Sequence, residues 1–175
     1  MRRTTDVSIG LLSLLALATA ASASDYYVDP VNGDDANSGA SPAEAWRHVS
    51  YAAGVAAAGD LVHLAPGVYS AAGGEVWPLP ITNVEYVGEG GSEATILDGG
   101  WFNSGGIVSS HYELVLSGVT LQAGQIGIRV FEWHAYSTHL ALHDVRILDM
   151  AQDGIFADGY GPDAATSVEI AKGLV

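Results

Sequence analysis

The feature that most constrains this chain is a repeat. Leu114-Val115-Leu116-Ser117-Gly118-Val119-Thr120-Leu121 returns 26 residues later as Leu140-Ala141-Leu142-His143-Asp144-Val145-Arg146-Ile147. Ala123-Gly124-Gln125-Ile126-Gly127-Ile128 returns as Met150-Ala151-Gln152-Asp153-Gly154-Ile155 at an offset of 27, and a third copy begins near Val168-Glu169-Ile170. Short strands punctuated by Gly, Asp, Asn and Ser at such a period signal a solenoid, whose units bury their apolar face only by stacking. The leucine-rich frame Leu-x-x-Leu-x-Leu-x-x-Asn is absent, which leaves a parallel β-helix, with an all-β sandwich as the rival. Alternation points Val119, Leu121, Val145 and Ile147 inward and Thr120 and Arg146 outward.

The segments before the repeat read differently. Arg2 and Arg3, an apolar run over Ile9 to Ala18, and Ala21-Ser22-Ala23 have the form of an export signal cleaved after Ala23. The run is too short for the ~20 residues that span a bilayer. The expected domain plan is therefore a signal peptide over 1–23, then the cap and first coils of a β-helix over 24–175, secreted or held in the cell envelope and free of membrane after cleavage. Cleavage removes Arg2, Arg3 and Asp6, leaving 4 of the 6 basic residues against 19 of the 20 acidic ones. So few cations cannot supply the counterion release on which nucleic-acid binding depends. The absence of Cys excludes disulfides, thiolate metal sites and Cys nucleophiles. Arg47 to Ala58 carries Val49, Ala52, Ala53, Val55 and Ala56 at helical spacing and ends at Gly59-Asp60.

Tyr26-Tyr27-Val28-Asp29-Pro30, the loop Asn32-Gly33-Asp34-Asp35-Ala36-Asn37-Ser38-Gly39, the helix, and Gly59-Asp60-Leu61-Val62-His63-Leu64-Ala65-Pro66-Gly67-Val68-Tyr69 form a recognisable series. Val87-Gly88-Glu89-Gly90 and Thr95-Ile96-Leu97-Asp98-Gly99 continue it. Together they resemble the N-terminal part of secreted bacterial right-handed parallel β-helix proteins of the pectate-lyase-like superfamily, closest to a branch known as a domain of unknown function. The resemblance runs from Tyr26 to Val175 and is most specific up to Tyr69. It implies an all-β, right-handed parallel β-helix with one N-terminal capping helix, turned into its first coil by Gly59-Asp60. Trp46 is read as packing within that cap. Such proteins usually have more coils, so the chain is expected to be the N-terminal part of a longer solenoid, with an uncapped last coil open to end-to-end contact.

The resemblance also implies a polysaccharide partner. Family enzymes that cleave acidic polysaccharides hold Ca²⁺ on acidic residues and use Arg or Lys as base on an outward strand face. A further step of 26 from Arg146 reaches Lys172, giving a column of Thr120, Arg146 and Lys172, weighed against an ordinary solvated face. Two loops are expected at one corner, Phe131 to His139 and Asp158 to Asp163. They would set Trp133, His134, Tyr136 and Tyr160, as sugar-stacking residues, beside the carboxylates Glu132 and Asp158. The plainer alternative folds these aromatics over the side of the solenoid. Arg146, Lys172, Glu132 and Asp158 are the candidate catalytic groups, for lyase or hydrolase chemistry. His143-Asp144 reads as a turn, and His139 and His143 diverge on a strand, which disfavours zinc. Asp34, Asp35 and Asn37 are candidate Ca²⁺ ligands, although Asx residues also bond their own backbone. The rival function is a non-catalytic envelope or surface β-helix that acts as a structural or interaction module.

Overall fold

The computed structural model describes residues 22–101, 105–133, 138–160 and 166–171. The proposed export signal and the final residues Lys172 to Val175 thus fall almost entirely outside the described residues. The chain winds as a parallel β-solenoid with one short helix. In chain order it runs β1 (Asp25–Val28), α1 (Val49–Val55), β2 (Leu61–Leu64), β3 (Gly67–Ser70), β4 (Leu79–Pro80), β5 (Val84–Gly88), β6 (Thr95–Asp98) and β7 (Val108–Ser110). The longer strands follow: β8 (Glu113–Gln122), β9 (Ile126–Trp133), β10 (Thr138–Leu148), β11 (Asp153–Tyr160) and β12 (Thr166–Ala171). Every strand pairing is parallel.

Three faces result. The first stacks β1, β2, β5, the leading half of β8, the leading half of β10, and β12. The second stacks β3, β6 and the trailing halves of β8 and β10. The third is the separate sheet β4-β7-β9-β11. Register places like on like along the axis. Val62, Tyr86, Leu116 and Leu142 form one inward column on the first face. Tyr69, Leu97, Leu121 and Ile147 form another on the second, and Leu79, Val108, Ile128 and Ile155 a third. Most of these side chains are fully buried, and together they make one continuous core.

The offset of 26 between β8 and β10 and of 27 between β9 and β11 are those read in the repeat. The next step differs: Leu140 pairs with Val168 and His143 with Ala171, an offset of 28. A step of 26 from Arg146 to Lys172 is therefore not the register that β12 adopts, and Lys172 itself lies outside the described residues. The bends have a simple cause. Gly118 and Asp144 fall between paired positions at one corner with φ of 63° and 51°, and Ala123 and Asp149 hold the next corner at 54° and 53°. Such left-handed residues turn the strand without ending its ladder. His143-Asp144 is thus the turn that its alignment with Ser117-Gly118 predicts.

The cap helix is shorter than its periodicity predicts, because Ala56 is already extended. The Asp60 carboxylate then accepts from the Ala57 amide at 2.8 Å and the Ser24 amide at 2.9 Å, which ties the turn to the incoming chain. Seven residues cannot sustain a helix alone. This one packs on β1 and β4, buries Val49 and Ala52, and lacks a cap from its own N-cap side chain. Glu75, itself buried, supplies one from the next coil: its two carboxylate oxygens accept from the Val49 and Ser50 amides, each at 2.9 Å. Trp46 is buried beside it, stacked on Tyr26 with centroids 4.8 Å apart, as cap packing requires.

One corner allows no side chain at all. A Cβ on Gly88 would lie 2.0 Å from the Gly118 carbonyl oxygen of the next coil, whereas a Cβ on Gly54 in α1 would meet nothing. Gly88→Ala is expected to lower stability by about 1–3 kcal/mol through forced backbone displacement. Gly54→Ala should raise it by roughly 0.5–1 kcal/mol through helix propensity. Thermal melts of the two variants check both signs.

Candidate functional site

The outward alternation of the third face gathers an unusual set of side chains. Ile126, Ile128 and Val130 are buried, so Arg129 and Phe131 fall on the outer side of β9. Register sets Ser109 and Phe156 on either side of Arg129. The Arg129 guanidinium carbon lies 4.6 Å from the Phe131 ring centre and 5.7 Å from that of Phe156, within cation–π range of both. His111, just past the end of β7, stacks on Phe131 at 5.1 Å with 23° between the planes. All four side chains remain partly or largely exposed. They form a continuous aromatic and cationic surface on one sheet face of a chain whose formal net charge is −14.

That surface extends toward the positions singled out in the sequence, but in a different setting. Phe131 to Trp133 and Asp158 to Tyr160 are not loops: they are the last residues of β9 and β11, paired Phe131 with Asp158, Glu132 with Gly159, and Trp133 with Tyr160. Parallel pairing continues past the point where the loss of clear alternation suggests a turn. Backbone register thus carries the strands on from Arg129, Phe131 and Phe156 to Trp133, Asp158 and Tyr160. In that register Glu132 pairs with Gly159 and Asp158 with Phe131. His134 and Tyr136 lie outside the described residues.

The other candidates disperse. Thr120 and Arg146 are register partners on the second face, but they do not form an open column. Thr120 is buried and donates its hydroxyl to the Ser92 carbonyl, because the turn after β5 folds over it. That turn is held from the other side by Asp144, whose carboxylate accepts from the Ser92 amide at 3.0 Å and the Ser92 hydroxyl at 2.9 Å. Those two hydrogen bonds from Ser92 hold the Asp144 carboxyl below its ordinary range, with Arg146 adding to the effect. Arg146 is exposed and pairs with Glu93 at 3.3 Å, a surface ion pair of small energetic weight.

The candidate Ca²⁺ loop is closed by its own hydrogen bonds. Asp34 accepts from the Ala36 amide at 3.0 Å, and the Asn37 side chain donates to the Ala45 carbonyl at 3.1 Å. Asp35 accepts from the Arg47 and His48 amides and meets His48 Nδ1 at 2.6 Å. Asp34, Asp35 and Asn37 thus serve the loop and the cap, with N–H donors on Asp35 where a cation was expected. Among the described residues no group of three or more His, Asp or Glu is placed to hold a metal ion.

His48 is the residue in this region that sequence reasoning overlooks. Its Nε2 lies 3.0 Å from the Gly73 carbonyl, so both ring nitrogens face acceptors, an arrangement that the doubly protonated ring satisfies in full. Partial burial pulls its pKa down, but the Asp35 and Gly73 hydrogen bonds and the nearby Asp35 and Glu75 charges outweigh this and raise it above the ordinary 6.5. Partial burial pushes Asp35 up, and hydrogen bonds from His48 and Arg47 overcome it and lower the carboxyl below 3.8. The raised His48 stabilises the fold fully below its unfolded pKa, and that contribution is lost as pH rises through the folded value. The lowered Asp35 contributes above its unfolded pKa and is lost as pH falls through the folded one. This latch is therefore strongest between about pH 4 and 6.5. His48→Gln should lower the melting temperature most in that window and least at pH 8 and above, as melts across pH would report.

The fold and this site define a class: a parallel β-solenoid with an aromatic outer sheet face. Residues 31–101 match the model of a family described as a protein of unknown function, DUF1565. That match covers the edge loop, the cap helix and the first coils, the region of the sequence whose motifs are most specific. Comparison with curated proteins and with solved structures gave no match.

Proposed function

We propose that this chain is an exported polysaccharide-binding β-solenoid, and that sugar rings lie across the outer face of β7, β9 and β11. The observation that carries the reading is the His111–Phe131–Arg129–Phe156 cluster, continued in register by Trp133 and Tyr160. An aromatic face accepts the C–H side of a sugar ring, and Arg129 and Asp158 are of the right type to bond its hydroxyls. Parallel strands repeat about 4.8 Å apart, so a polymer lying across the strands meets aromatic positions on successive coils. Export is inferred from residues 1–23.

The test is titration of the full chain with a panel of neutral and acidic polysaccharides. For the polymer that binds, Phe131→Ala and Phe156→Ala should each weaken affinity on the order of tenfold, the scale of a central aromatic contact. Saturating EDTA should leave a stacking-held complex intact, whereas a Ca²⁺ bridge between two acidic partners would dissolve. Unchanged affinity in both variants would overturn the site.

A further inference from the structure

A second concave feature lies well away from this face, at the cap end of the first sheet. It is a half-open groove of about 390 Å³, within the size range of small-molecule sites. Pro42, Ala65 and Pro66 contribute apolar walls, and Asp29, His63 and Glu89 form its polar side. The His63 ring is held from two directions. Tyr27 of β1 stacks on it at 4.6 Å with 9° between the planes, and its Nδ1 is hydrogen-bonded to Glu89 Oε1. Two packed partners fix the ring, and through it fix Glu89, whose side chain is half exposed. The other Glu89 oxygen, Oε2, takes no hydrogen bond from the described residues.

Asp29 is equally fixed. Its Oδ1 accepts from the Val31 and Asn32 amides at 2.8 and 3.0 Å, and its Oδ2 from the Asn32 side chain at 3.0 Å. Partial burial raises its pKa, but the hydrogen bonds from Asn32 and Val31, with the Arg47 charge adding to them, outweigh this and keep the carboxyl below its ordinary range. Arg47 is near enough to act on Asp29, but no Lys or Arg lines the groove itself, whereas two carboxylates do. In a chain with 20 acidic residues against 6 basic ones, that lining favours a cation. The walls are short, rigid and apolar, which suits a compact ring better than a long flexible chain that pays rotamer entropy on binding.

We infer that this groove binds an amine-bearing sugar residue, with its ammonium group at Glu89 and Asp29 and the C–H side of its ring against Pro42 and Pro66. The site is separate from the aromatic face of the third sheet and stands without it.

The experiment is calorimetric titration of the full chain with a short glucosamine oligomer, its N-acetylated counterpart and a lysine tripeptide, at a pH where the amines are protonated. The amine oligomer should bind. Affinity should fall about tenfold on N-acetylation and on Glu89→Gln, the scale of one charge-assisted hydrogen bond. It should be unchanged by Glu113→Gln, an exposed carboxylate remote in sequence from the groove. Equal affinity for the acetylated oligomer, no binding, or equal losses in Glu89→Gln and Glu113→Gln would overturn the proposal, the last by showing diffuse charge attraction. A lysine tripeptide that binds as tightly as the amino sugar would overturn the assignment to a sugar.

Discussion

The structure depends on backbone pairing between coils. Each strand takes its partners from the coil before and the coil after, so no coil is complete alone, and the first strand has only one neighbour of its own kind. An open strand edge is a template for unwanted pairing. In this chain the N-terminal edge is occupied from within: Val28 bridges to Trp46, the Tyr27 amide donates to Gly39, and the Trp46 amide donates to Tyr27. The polar loop after β1 thus works as an edge strip, and its Asp and Asn side chains bond the backbone that this path leaves without strand partners. Gly33 and Gly39 lie so close to Trp46 that a side chain at either would collide with it.

Much of this fold was legible because a solenoid repeats its physics. Coils of similar length with inward Leu, Ile and Val return at similar offsets, 26 from 114 to 140 and 27 from 126 to 153. The steps of 24 from Leu61 to Glu85, 30 from Val84 to Leu114 and 28 into β12 were not legible. They are set by corner loops that carry no periodic constraint. The same reasoning explains the helix: apolar spacing identified Val49 and Ala52, which are buried, but also Val55, which is exposed, and the helix start is capped by Glu75, a residue one coil away.

The candidate site divides along the same line. Trp133 and Tyr160 stood out as aromatic residues near a corner, and register brings them together. The Arg129–Phe156 pairing follows from the offset of 27 already present in the repeat; what the sequence did not reveal is that β9 and β11 run on as paired strands past Ile128 and Ile155. Outward parity was right for Arg146 and misleading for Thr120. Alternation says which way a residue points from its own strand, but not whether a neighbouring turn folds over it.

The capping of α1 by Glu75 has a consequence for the order in which the chain can acquire structure. Synthesis delivers residues from the N-terminus onward, yet the helix at the start is too short to persist alone. Its first two amides wait for a carboxylate that arrives 25 or 26 residues later. The lid of this solenoid therefore closes behind the first coil rather than ahead of it. Until that coil has formed, the first two amides of the helix have no carboxylate to cap them.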